Sequence, residues 1–224
     1  MSFDEIHKLL VEYYDVMEIT PDAKKKRVDC AFGFYEAVWF VLMMINLEYN
    51  HKQLAQMEEY IKSLVLRLED YLNENNLPYD EKYLKKMATD VVETTFRHLD
   101  ESEIEEEEDN EEINRDTKNK ISEEEKKPNY WLSEDRAVMI AENESNTVWN
   151  TIDFNEAKAG GKLYKTWITE GDDKVRFNHF MVDGMKIPIG QPFPVGEDMM
   201  YFPHDYMNGS AENLINCRCT ILYS

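Results

Sequence analysis

Positive charge is what this sequence has too little of: 25 lysines and arginines face 46 aspartates and glutamates, a formal net charge of −21 over 224 residues. An excess of that size repels phosphate backbones and anionic lipid heads at long range, which argues against general nucleic-acid binding and leaves room only for a local basic patch. Cysteine is also scarce. Cys30, Cys217 and Cys219 are too few, and odd in number, for a disulfide framework, so a reducing compartment is expected. Glycine occurs without a phosphate-cradling loop, since Gly160-Gly161 and Gly190 stand isolated; nucleotide binding of the familiar kinds has no support. The first residues, Met-Ser-Phe-Asp-Glu, carry neither the positive start nor the apolar run of a secretory signal. The most apolar run, AVWFVLMMI at 37–45, is nine residues long, against the ~20 that cross a bilayer. It reads as a buried helix segment, and no membrane partner is expected.

A chain of this length holds one sizeable core or two small ones. Composition changes at Asp100, after which thirteen acidic and five basic residues crowd into positions 101–127. That segment has too little apolar surface to offset its ordering entropy. It reads as a flexible linker closed by Pro128, with a long solvated helix as the alternative because Glu and Lys are good helix formers. Upstream, Leu54, Met57, Ile61, Leu64, Leu68 and Tyr71 recur at helical spacing, and Leu84, Met87, Val91, Val92, Thr95, Phe96 and Leu99 repeat the rhythm after Leu77-Pro78. With a short helix near 3–16 and an apolar one near 29–47, residues 1–100 read as a four-helix bundle. Phe32, Phe34, Tyr35, Trp39, Phe40, Met43 and Met44 read as its packing, or as a soft docking face.

Downstream the period changes. A helix is expected over 133–149, carrying Arg136, Glu142 and Glu144 and capped by Ser133. A second helical turn should end at Gly160-Gly161. KLYKTWI at 162–168 alternates as a strand, with Leu163, Lys165 and Trp167 on one face. Asp183-Gly184 between FMV and MKI signals a type I′ hairpin. Short strands are expected near 199–202 and 219–223. The fold class is thus α+β: an N-terminal helical bundle (1–100), an acidic linker (101–128) and a small C-terminal α+β domain with an antiparallel sheet (129–224).

Four features of the last hundred residues occur in order: the helix RAVMIAENE with Arg136, Ala141 and Glu144; Lys165-Thr166-Trp167; the run Asp172-Asp173-Lys174-Val175-Arg176-Phe177-Asn178-His179 leading to Asp183-Gly184; and Asn216-Cys217-Arg218-Cys219. This order resembles the Mu F-like (phage head morphogenesis) family of tailed-phage minor head proteins, over about residues 130–224. A departure is that Asn143 stands where the family commonly has a threonine before Glu144. The resemblance implies a minor head protein rather than an enzyme, acting in procapsid assembly and binding the portal protein and a capsid or scaffold protein, with DNA packaging or delivery and contact with packaged DNA as further roles. The implied location is the virion, at the head interior or portal vertex, with host cytoplasm during assembly. The family-motif residues carried over are Arg136, Glu144, Trp167, Asp173, Arg176, His179, Asp183, Gly184, Asn216, Cys217, Arg218 and Cys219.

The residues themselves allow more than one chemistry. His179, Cys217 and Cys219 are the side-chain types of a zinc site. Zinc thiolate pairs usually come as Cys-x-x-Cys, however, and a one-residue gap on an extended strand turns both sulfurs to one side. The spacing favours buried free thiols, and so no cofactor, over zinc or a strained disulfide. A hydrogen bond from His179 would then lock the sheet to the Cys-x-Cys strand, and Arg176 would pair with Asp172 or Asp173. Trp167 reads as the core anchor. A hydrolase or nuclease-like site built from His179, Asp172, Asp173 and Arg176 is the alternative function. Lys24-Lys25-Lys26-Arg27 is the one candidate DNA patch, read more simply as the solvated start of a helix.

Overall fold

The computed structural model of the chain describes residues 1–48, 54–113 and 130–224. Helices α1 (Phe3–Asp15), α2 (Pro21–Glu48), α3 (Leu54–Glu74) and α4 (Glu81–Ile113) precede a short 3-10 turn (Tyr130–Leu132) and the long helix α5 (Glu134–Ala159). Then come β1 (Tyr164–Ile168), α6 (Phe177–Phe180), β2 (Lys186–Pro188), β3 (Phe193–Val195), β4 (Asp198–Met200), α7 (Ala211–Leu214) and β5 (Thr220–Tyr223). The fold class is α+β, as the change of period at about residue 160 requires. α4 continues to Ile113, so the first half of the acidic segment is helical; the rest of it, with Pro128, lies outside the described residues.

Residues divide into two compact units, and not at the boundaries that composition suggests. One joins Met1–Glu36 and Asn76–Pro78 to Val138–Ser224, and the other comprises Ala37–Asn75 and Tyr79–Ala137. The first 36 residues thus leave the expected 1–100 bundle and become part of the C-terminal unit. The reason is a set of buried bonds that composition does not reveal. Arg27, 2% exposed, donates to Asn150 Oδ1 at 2.8 Å and pairs with Asp153 Oδ2 at 2.9 Å on α5. Ser145 Oγ donates to the Arg27 carbonyl, and Tyr14 OH to the Glu142 carbonyl. Ile6, Leu10 and Tyr14, one face of α1, are fully buried.

In the second unit the helical stripes meet as expected: Leu64, Leu68 and Leu72 of α3 and Leu84, Ala88 and Val92 of α4 are buried with Val38, Val41, Leu42 and Ile45 of α2. Arg67 lays its guanidinium 3.4 Å from the Phe40 ring centre. α2 is long and apolar enough to cross a membrane, but 61% of its most apolar window is buried within the protein, as in a core helix.

α5 is one helix where a helix and a separate turn were expected. Ser133 caps its start, its Oγ accepting from the Arg136 amide, and Gly161 at φ +75° ends it. β1 is the centre of a three-stranded antiparallel sheet of order β2-β1-β5, in the register Thr166↔Lys186 and Trp167↔Ile221. β3 and β4 form a separate antiparallel pair. Lys165 and Trp167 both point to the core side of β1, fully buried, whereas Leu163, just before the strand, is exposed. The FMV–MKI hairpin is not formed: Phe180 ends α6, and Met181, Val182 and Asp183 turn the chain into β2. Helix formation wins there because Phe180 and Met181 amides reach back to the Arg176 and Phe177 carbonyls. Gly184 keeps its special role, at φ +68°, and its amide donates to the Trp167 carbonyl at 2.8 Å.

A buried histidine and two thiols as candidate functional site

Trp167 lies at the middle of the small core formed with Val182, Phe193, Val195, Met200, Cys217 and Cys219. Because β1 pairs on one edge with β2 and on the other with β5, the segments entering those strands are brought to the same end of Trp167. One carries His179 and the other carries Cys217 and Cys219. His179 Nδ1 stands 3.3 Å from Cys219 Sγ and 3.5 Å from Cys217 Sγ. All three residues are buried, and their ligand-type atoms lie within 4.8 Å of one another. The His179 ring packs edge-on to Trp167, with centroids 5.7 Å apart.

The four residues of the Asn216–Cys219 box divide their work. Asn216 adopts φ +57°, a left-handed conformation that asparagine tolerates, and its amide donates to Asn143 Oδ1 on α5. Cys217 and Cys219 turn inward. Arg218, between them, turns outward to Asp172 at 2.7 Å, and that guanidinium holds the Asp172 carboxyl below the usual carboxylate range. The expected pairing of Arg176 with Asp172 or Asp173 is therefore replaced: Arg218 takes Asp172, Arg176 donates to the Ile215 carbonyl, and Asp173 is exposed. The cause is period two, which sends Arg218 to the face opposite the thiols.

The Cys217 carbonyl accepts from His204 Nε2 at 2.7 Å and from Tyr13 OH at 3.4 Å. Burial pushes His204 down to about 4, so it stays neutral. Burial opposes ionisation of the Cys217 thiol, yet hydrogen bonds from Cys219 and the charges of Arg176 and Arg218 bring it below its ordinary value. Cys219 is correspondingly raised, first by its hydrogen bond to Cys217 and then by burial. A cleft lined by Glu170, Lys174, Val175, Arg176, Asn216 and Arg218 reaches this cluster.

Other motif residues act elsewhere. Asp183 Oδ1 accepts the Thr169 amide and closes the turn before Gly184. Arg136, 3% exposed, belongs to the other compact unit, where it donates to Thr95 Oγ1 (2.6 Å), the Trp131 carbonyl (2.7 Å) and the Val91 carbonyl (3.1 Å). Glu144 is half-buried on α5, whereas its neighbour Glu142 is raised to about 7 by burial. Of the basic run at 24–27, Lys25 and Lys26 are exposed, but the run is no continuous patch. Arg27 is buried against Asp153, Lys26 pairs with Asp22 and Lys24 with Asp15.

Sequence reasoning missed His204 and Tyr13 and noted Asn143 only as a departure from the family pattern; each of the three fixes the Cys-x-Cys segment through its backbone. Nothing local marks them, because backbone carbonyls and amides leave no trace in composition. It named Lys165 without its role. That side chain donates to the Tyr201 carbonyl at 2.6 Å and sits within about 5 Å of the Phe154, Phe193 and Tyr201 ring centres, and burial brings it down to about 8.

A family model described as phage Mu protein F like protein matches residues 100–222. No curated protein and no solved structure matches the chain.

Proposed function

The chain belongs to the phage Mu protein F like family, a family of phage head structural proteins, and from that premise we propose that it is a minor head protein acting in procapsid assembly, with the portal protein and a capsid or scaffold protein as its partners. The observation that carries the reading is the match over 100–222, which spans every C-terminal motif. Its place is the virion, at the head interior or portal vertex, after assembly in the host cytoplasm. A role in DNA packaging or delivery would follow from that position more than from direct DNA contact, because Lys24, Lys26 and Arg27 of the basic run each carry an ion pair within the protein.

The chemistry of the site favours structure over catalysis. A general base needs a substrate proton within reach, but His179 is 2% exposed and turns Nδ1 to two sulfurs. Asp172 is engaged by Arg218. His179 is thus committed to the sulfurs and not presented as a free base, which makes the hydrolase reading the less supported of the two. A surface suited to docking does lie nearby: Phe177, Phe180 and Met181 on and after α6 are 74%, 61% and 60% exposed, and clustered exposed apolar side chains mark interaction sites. Co-purification from induced cells tests the proposal. The tagged protein should bring down the portal protein from procapsids, and a protein that remains free of all head components in such cells would overturn it.

A further inference from the structure

We propose that His179, Cys217 and Cys219 bind one zinc ion through Nδ1 and the two thiolates, with a water in the fourth position facing the cleft of Glu170, Lys174, Arg176, Asn216 and Arg218. Tetrahedral zinc with Zn–S bonds of ~2.3 Å and Zn–N bonds of ~2.0–2.1 Å sets its nitrogen and sulfur ligands about 3.5 Å apart. The two nitrogen–sulfur distances here are 3.3 and 3.5 Å, and all three ligand atoms fall within 4.8 Å.

The short Cys-x-Cys spacing, an objection on sequence alone, is answered by the backbone. Residue 218 points away to Asp172, so residues 217 and 219 present both sulfurs to one side, and the imidazole closes the triangle from a different segment. The ligands are held before any ion arrives. The Cys217 carbonyl is fixed by His204 and Tyr13, the Asn216 amide by Asn143, and the His179 ring by Trp167. Three protein ligands and one opening toward solvent is the zinc arrangement that retains a water. Two thiolates also neutralise the dication, so the site buries no net ligand–metal charge, which an apolar core around Trp167 and Phe193 requires. His179 Nε2 has no protein hydrogen-bond partner among the described residues; with zinc on Nδ1 it carries the ring proton.

The test uses the full chain, purified under reducing conditions through a tag without histidines. About one equivalent of zinc should co-purify, and chelator should remove it and lower the melting temperature. Cobalt added to the stripped protein should give thiolate charge-transfer absorption and the intense visible bands of a tetrahedral ion. Cys217→Ser should lose most of the bound zinc, whereas His179→Cys, which keeps a ligand at that position, should retain it. A wild-type chain that holds no zinc and gives no thiolate–cobalt band would overturn the proposal whatever the variants do. So would undiminished zinc in a Cys217→Ser, Cys219→Ser double variant.

Discussion

His179 Nδ1 and Cys219 Sγ approach to 3.3 Å across forty residues of chain, and the approach is dictated by β1, whose two edges pair with the strands that follow the histidine and the cysteines. Trp167, on the core face of that strand, fills the space beneath both. Replacing Trp167 by Ala should therefore cost ~3–5 kcal/mol, the usual penalty for truncating an aromatic core residue. Chemical denaturation followed by probes in the C-terminal unit checks this, and an unchanged midpoint would contradict it.

Arg136 predicts a second stability effect, in the other compact unit. Its guanidinium serves Thr95, Trp131 and Val91 through two nitrogens, and although the Val91 carbonyl keeps the Thr95 hydroxyl, Arg136→Met removes all three bonds and should cost about 1–3 kcal/mol. Arg136→Lys should recover only part of that, because an ammonium cannot span the same fork. Thermal melts of the two variants, with equal midpoints for Lys and Arg as the contrary outcome, decide it.

Glu142 makes stability depend on pH. Burial raises its folded-state value from 4.5 to about 7, so the folded protein holds a proton that the unfolded chain releases. The contribution is complete below about 4.5 and is lost as pH rises through about 7. Glu142→Gln should remove that slope and leave the variant more stable than the parent at pH 8. Parallel melting curves of the two proteins across pH 5–8 would speak against it.

The 36 N-terminal residues in the C-terminal unit make a further prediction. A fragment 129–224, the domain that composition outlines, lacks Ile6, Leu10, Tyr14 and Arg27 and leaves Asn150, Asp153 and the Glu142 carbonyl without those partners. It should show no cooperative melt when expressed alone and should recover one when co-expressed with 1–128. A cooperative melt of the isolated fragment at the full chain's midpoint would refute this.

Phe177→Ser with Phe180→Ser separates docking from folding. Both rings are mostly exposed, so the double variant should keep the parent's melting temperature while losing portal co-purification at least tenfold. Retained co-purification would move the contact to another surface.

Much was legible in the residues: the α3 and α4 stripes, the apolar α2, the Ser133 cap, the Gly160-Gly161 stop, the alternation of Lys165 and Trp167, and the ordered C-terminal motifs. Each depends on neighbours within a turn or a strand, where period and local hydrogen bonding act alone. What tertiary structure decided was everything joining distant segments. It put α1 and Arg27 against α5, turned 180–183 from a hairpin into the exit of a helix, gave Asp172 to Arg218 instead of Arg176, and closed His179 on two cysteines. Those outcomes rest on buried backbone acceptors and on which strand edges pair, and neither is written in the side chains that end up in contact.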